Sequence, residues 1–136
     1  MVGASYIGLE CAGFMNGLGL DVTVMVRSIL LRGFDQKMAN KVGDYMEENG
    51  VKFIKKAVPT SITLNSEGKR VVKYQHDGKE LEEVYDAVLV AIGRTAETKA
   101  LNLEAVGVKT SKSGKVIADD NDQTSVPNIY SVGDCC

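Results

Sequence analysis

Tryptophan is missing from this sequence, histidine occurs once (His76), proline twice and cysteine three times. One histidine excludes a His-rich metal site. Cys11, Cys135 and Cys136 have neither the spacing of a zinc site nor the numbers of a disulfide framework. So few thiols fit a reducing compartment. The adjacent Cys135 and Cys136 would need a strained ring to join, and no base or redox partner stands near them in the sequence, so no function is assigned to them. Charge of one sign is also lacking: 16 Lys and Arg face 18 Asp and Glu, a net charge of −2. Without a basic surplus or a basic run, nucleic acid is not expected as a partner. Apolar runs such as Ala87–Ile92 are too short to span a bilayer. No basic segment precedes a long apolar core, so no secretory signal is read. A membrane is not expected as a partner either.

What is present is a globular balance. Hydrophobic residues make up 44% and charged residues 25% of the 136 positions. That is one domain's worth of chain, residues 1–136, able to bury about two-thirds of its unfolded surface. Fourteen glycines suit tight turns around regular elements. Val2 reads as the end of a strand whose beginning lies outside the chain, and Gly3–Gly8 reads as a strand-to-helix turn. Ile7, Cys11, Phe14 and Leu18 then recur at helical spacing, and they are expected on the inner face of a first helix that Gly19 stops. Asp21–Val26 is apolar and β-branched after its first residue, the pattern of a strand buried on both faces. Asp35 is the expected N-cap of a second helix with Met38, Val42, Tyr45 and Met46 inward and Gly50 past its end. Val51–Lys56 is a third strand.

The middle of the chain changes character. Ser61–Asn65, Arg70–His76 and Leu81–Tyr85 are short strands of mixed polarity separated by Ser66–Gly68 and Asp77–Gly78, an antiparallel meander. Asp86–Ile92 returns to the buried-strand type. Thr95–Pro127 reads as mostly loop, and Ile129–Val132 as a last buried strand. Alternating strands and helices at the start imply parallel crossovers. The fold class expected is α/β, Rossmann-like, in three layers (β/β/α), with a parallel sheet and a three-stranded antiparallel meander in place of a crossover helix.

The turn Gly3-Ala4-Ser5-Tyr6-Ile7-Gly8 is a variant of the G-x-G-x-x-G fingerprint, with Ser5 in the second glycine position. Such a turn offers backbone N–H groups and a helix dipole to a pyrophosphate. Ser5 keeps the phosphate further off through its Cβ, while its hydroxyl has a proton to donate to a phosphate oxygen. Gly8 fits the position where helix and strand pack closely. Arg27 follows Gly3 by 24 residues, near the interval of about 20 at which an acid would hold the adenosine ribose of NAD. No acid lies between Val22 and Leu31; Arg27, Ser28 and Arg32 stand there instead. Guanidinium groups match a phosphate bidentately and stay charged. The expectation is a 2′-phosphate, hence NADP(H). Tyr6 and Glu10 are four residues apart and share a helix face at the mouth of this site.

The runs Gly3–Phe14 and Val24–Asp35, with Met46-Glu47-Glu48, Ala91–Arg94 and Val126–Asp134, resemble the large thioredoxin reductases among the pyridine nucleotide-disulfide oxidoreductases. The resemblance covers nearly the whole chain, and Arg27–Asp35 is its most specific stretch. It implies an NADPH-binding domain whose parent also carries an FAD domain and an interface domain that makes a homodimer. Arg27, Ser28 and Arg32 match the residues that hold the 2′-phosphate, and Gly33 and Phe34 adjoin them as cofactor contacts. Gly3, Ala4, Ser5, Tyr6, Ile7, Gly8, Leu9 and Glu10 match the turn around pyrophosphate and nicotinamide. Among these, Tyr6 matches an aromatic gate over the flavin and Glu10 a carboxylate near the carboxamide. Ile92, Gly93 and Arg94 match a second nucleotide contact, and Asp134 a contact to the FAD ribityl chain.

The resemblance further implies hydride passing from NADPH to FAD and on to a disulfide such as that of thioredoxin, in the cytosol or the mitochondrion. The cysteine pair and the His-Glu pair that such enzymes use are not in these residues. No catalytic or metal-binding residue is therefore assigned, and the fragment by itself is not expected to turn over. The alternatives are a glutathione or thioredoxin–glutathione reductase fragment, or a non-catalytic NADP(H)-binding module. A complete single-domain dehydrogenase would need a Tyr/Lys or His set that is not found.

Overall fold

A computed structural model describes residues 1–136 and divides them into two compact units, Met1–Ile92 and Gly93–Cys136. In the first, helix α1 (Tyr6–Gly17) is followed by strand β1 (Thr23–Val26), helix α2 (Gln36–Glu48) and strand β2 (Lys52–Lys55). Strands β3 (Ala57–Leu64), β4 (Arg70–His76) and β5 (Lys79–Tyr85) come next. Ser5 caps α1, its Oγ accepting the Gly8 N–H at 3.3 Å, and Asp35 caps α2, its carboxylate accepting the Met38 N–H at 2.9 Å.

Strands β1 and β2 pair in parallel, Val24 opposite Phe53. Val2 bridges in parallel to Met25 on one side and to Val90 on the other. The Gly3 N–H donates to the Met25 carbonyl at 3.0 Å, and the Ala91 N–H to the Val2 carbonyl at 2.8 Å. Val2 thus holds the centre of a parallel arrangement ordered β2, β1, Val2, Val90. Strands β3, β4 and β5 form the antiparallel meander, with Ile62, Val72 and Glu83 abreast.

Alternation along β1 builds the layers. Val24 and Val26 face the helices and join Leu9, Ala12, Leu30, Ala39 and Met46 in one buried cluster. Met25 faces the other way and packs with Ala57, Val72 and Tyr74 of the meander. Helices, parallel strands and meander are the three layers expected of this α/β unit. At the meander's surface, Glu83 accepts hydrogen bonds from the hydroxyls of Tyr74 (2.6 Å) and Tyr85 (2.5 Å). Tyr74 is almost fully buried.

The helix faces differ from expectation. Ile7, Phe14 and Leu18 are exposed, and α1 buries Gly8, Leu9 and Ala12. Met38, Val42 and Tyr45 are likewise exposed, and α2 buries Ala39, Gly43 and Met46. At Gly8 the backbones approach too closely for a side chain, since a Cβ there would overlap the Gly3 carbonyl oxygen, and at Gly43 a Cβ would meet the tip of the Leu30 side chain. Asp86–Ile92 is also not a strand buried on both faces. Its pairing is the bridge at Val90, and Val90 and Ile92 are exposed.

The second unit contains three short 3-10 helices, Lys99–Leu101, Leu103–Val106 and Gly133–Cys135. Isolated antiparallel bridges join Thr110 to Val116, Ala118 to Thr124 and Gln123 to Tyr130. Ile129–Val132 is therefore not a buried strand: Tyr130 makes one bridge, and Tyr130 and Val132 are exposed. No helix of the molecule is long and apolar enough to cross a membrane.

Candidate functional site

Two backbone features meet at the carboxyl end of the parallel strands, where α/β sheets bind ligands. One is the turn Gly3–Ser5 that opens α1. Gly3 adopts φ +101°, and a Cβ there would stand 2.5 Å from the Ala91 carbonyl oxygen. A Cβ on Gly8 would overlap the carbonyl oxygen of Gly3. These two glycines permit the close seating of helix on strand. Ser5 Oγ donates to the Ala91 carbonyl at 2.9 Å while it caps Gly8. Its single proton is thus committed, and the donation to a phosphate oxygen anticipated from the sequence is not open to it in this conformation. The Tyr6 and Ile7 N–H groups in the first turn of α1 have no acceptor within the helix, and the dipole's positive end lies with them.

The other feature is the loop from Arg27 to Phe34, which begins where β1 ends. Leu31 takes φ +44°, and its N–H donates to the Ala4 carbonyl at 2.9 Å, tying the loop to the glycine turn. Leu30 is buried against α2. Gln36 Nε2 lies 3.3 Å from the Leu30 carbonyl, 3.3 Å from that of Leu31 and 3.0 Å from that of Phe34. Within the loop, Arg32 Nη2 donates to Ser28 Oγ at 2.6 Å. Arg27 and Arg32 have no carboxylate within 4.0 Å, while five Lys or Arg side chains elsewhere on the chain pair with carboxylates. Exposed guanidinium groups without acidic partners are poised to take an external anion.

The remaining expected residues fall in definite places. Tyr6, Ile7 and Glu10 are on the outward side of α1, while Gly8 and Leu9 are buried beneath them. Gly33, with φ +95°, and Phe34 are exposed at the end of the loop. Ile92 is exposed, with its Cγ2 3.3 Å from where a Gly3 Cβ would be. Gly93, Arg94 and Asp134 belong to the second unit, in which Arg94 and Asp134 form an exposed ion pair at 3.7 Å. Such a pair contributes little to stability. Two participants were not singled out from the sequence: the Ala91 carbonyl and the side chain of Gln36. The available signal for Gln36 was an amide in the first turn of a helix directly after its Asp35 cap.

The family profile described as "Pyridine nucleotide-disulphide oxidoreductase" matches residues 1–136. A curated relative, "Thioredoxin reductase SEP1" of Emiliania huxleyi, is 51% identical over 135 residues, which cover 98% of this chain and 27% of that protein. The chain therefore spans about a quarter of the length of the relative it matches.

Proposed function

We propose a function from one premise: this chain belongs to the pyridine nucleotide-disulphide oxidoreductase family. Our reading is that residues 1–136 are the NADPH-binding part of a flavoprotein disulfide reductase of the thioredoxin reductase kind. The observation that carries it is the pair of uncompensated guanidinium groups, Arg27 and Arg32, on a loop hydrogen-bonded to the glycine turn. The pyrophosphate of the coenzyme would lie at the start of α1, against the backbone N–H groups of the Ala4–Ile7 turn. The 2′-phosphate would be held by Arg27, Ser28 and Arg32, with Gly33 and Phe34 beside it. Tyr6 and Glu10 would flank the nicotinamide. Ile92, Gly93 and Arg94 would add a second nucleotide contact, and Asp134 a contact to FAD.

When bound, NADPH supplies a hydride for the flavin, and through it electrons for a disulfide. The side chains of this chain bind and orient; none is required to move a proton. The relative's name supports thioredoxin as the disulfide substrate. The homodimer and the cytosolic or mitochondrial setting expected from the resemblance belong to the same proposal. Replacing Arg27 and Arg32 together by alanine tests the reading. Loss of two charge-assisted contacts should weaken NADPH binding by about a hundredfold and leave NADH binding nearly unchanged. Equal losses for the two coenzymes in fluorescence titrations would refute it.

A further inference from the structure

We propose that Gln36 is a positioning residue that sets the coenzyme preference by holding the Arg32 loop against the glycine turn. The proposal rests on the NADPH reading above. Residues 30–34 bend through two left-handed positions, Leu31 at φ +44° and Gly33 at φ +95°, and Arg32 stands between them. Leu31 pays a steric cost there that glycine would not. Such a bend persists only if its surroundings hold it. Three attachments do so. Leu30 is buried next to Gly43, the Leu31 N–H reaches the Ala4 carbonyl, and Gln36 gathers the carbonyls of Leu30, Leu31 and Phe34.

The amide of Gln36 has two protons, shared among three acceptors that flank Arg32 on both sides. No other side chain donates to those three carbonyls. Gln36 sits in the first turn of α2, and it is half-buried and uncharged, so it acts on an anion through Arg32 and not by direct charge. Without its protons the loop keeps the burial of Leu30 and the bond from Leu31 but loses the side-chain hold on the Phe34 carbonyl and on the segment that aims Arg32 toward Ser28. The effect should fall on the 2′-phosphate and not on the pyrophosphate, whose donors lie on α1.

The test titrates NADPH and NADH into the intact protein and its Gln36→Met, Arg32→Ala and doubly substituted forms. Methionine keeps the length of the side chain and removes its donors. Gln36→Met should lower NADPH affinity about tenfold and leave NADH affinity as it was. The double variant should be no worse than Arg32→Ala alone, because the amide acts through that arginine. Parallel losses for both coenzymes, an unchanged NADPH affinity, or additive losses in the double variant would each overturn the positioning role. An unsubstituted protein without preference for NADPH overturns the coenzyme reading itself, and the role of Gln36 with it. Should Gln36→Met not fold, Gln36→Asn, which draws the amide back by one methylene, carries the same comparison.

Discussion

The two units hide their interiors by different means. In Met1–Ile92, apolar side chains on both faces of the parallel strands fill two clusters, and continuous ladders consume the backbone groups. In Gly93–Cys136 the ladders shrink to isolated bridges, and polar side chains supplement the backbone pairing. Thr98 is buried and donates to the Gly114 carbonyl at 2.6 Å. Ser125 accepts from the Lys109 N–H and donates to the Gly107 carbonyl, both at 2.9 Å. Asp119 gathers the N–H groups of Asn121 and Gln123. The first strategy rests mainly on shape; the second gives individual hydrogen bonds a larger share beside a few buried valines. The glycine turn and the arginine loop sit on the first kind of frame, which suits a site whose anion donors must be held still.

The sharpest way to break this contrast is a Cβ at a positive-φ glycine in each unit. Gly3→Ala combines left-handed strain with a Cβ driven to 2.5 Å from the Ala91 oxygen. It should cost about 4 kcal/mol in urea unfolding. Gly133, at φ +80°, has nothing within 4 Å of its Cβ position. Gly133→Ala should cost only the backbone strain, about 1 kcal/mol. Similar losses would mean that close packing does not distinguish the units.

Truncation of buried valines should come next in size. Val24 is 0% exposed at the heart of the helix-facing cluster. Val24→Ala deletes two buried methyl groups and leaves a cavity, an expected loss of about 2–3 kcal/mol. Val108 is 3% exposed but belongs to neither cluster. Its truncation should cost about 1 kcal/mol, since fewer apolar neighbours surround it. Chemical denaturation of the two variants gives the comparison.

Thr98→Val reverses the ranking. Shape is nearly kept, but the Gly114 carbonyl loses its hydroxyl donor. A loss of about 1–2 kcal/mol is expected. In hydrogen exchange it should appear as faster exchange of amides in Gly93–Cys136, with those of β1 unchanged.

These contrasts also explain what could be read in the sequence. The parallel strands, the Asp35 cap and the meander were legible because they follow local rules: β-branched runs, a capping acid, turn residues at fixed intervals. The helix faces were not. Ile7, Cys11, Phe14 and Leu18 have the period of a buried stripe, yet period identifies a stripe without saying what lies against it. The buried faces are instead Gly8, Leu9 and Ala12 on α1, and Ala39, Gly43 and Met46 on α2. Residues 86–92 have strand composition, but the parallel pairing there is limited to Val90. At the site, Arg27, Ser28 and Arg32 stood out because an acid was expected where they are. Gln36 did not, because its acceptors are carbonyls exposed by a bend at Leu31 that no residue type announces.

The smallest effect is expected from acid, and it concerns the meander. Hydrogen bonds from Tyr74 and then Tyr85 hold the Glu83 carboxyl below its ordinary value of 4.5, against the opposing effect of burial. The same contact, followed by burial, pushes the Tyr74 hydroxyl up to about 12. Burial, then Glu83, raises the Tyr85 hydroxyl as well. The folded state therefore binds fewer protons at Glu83 than the unfolded chain does. Its contribution is complete above the ordinary glutamate value and is lost as pH falls through the lowered one. Tyr74 has the opposite sense: its contribution is complete below the ordinary tyrosine value of 10.0 and is lost as pH rises toward 12. Glu83→Gln removes the titrating carboxyl and should flatten the acid limb of stability below the ordinary glutamate value, by a small amount because this exposed carboxylate is screened by solvent. Tyr74→Phe should shift the same limb, since the leading donor is gone. An acid limb that keeps its slope in both variants would mean that the carboxylate is not tied to the tyrosines in solution.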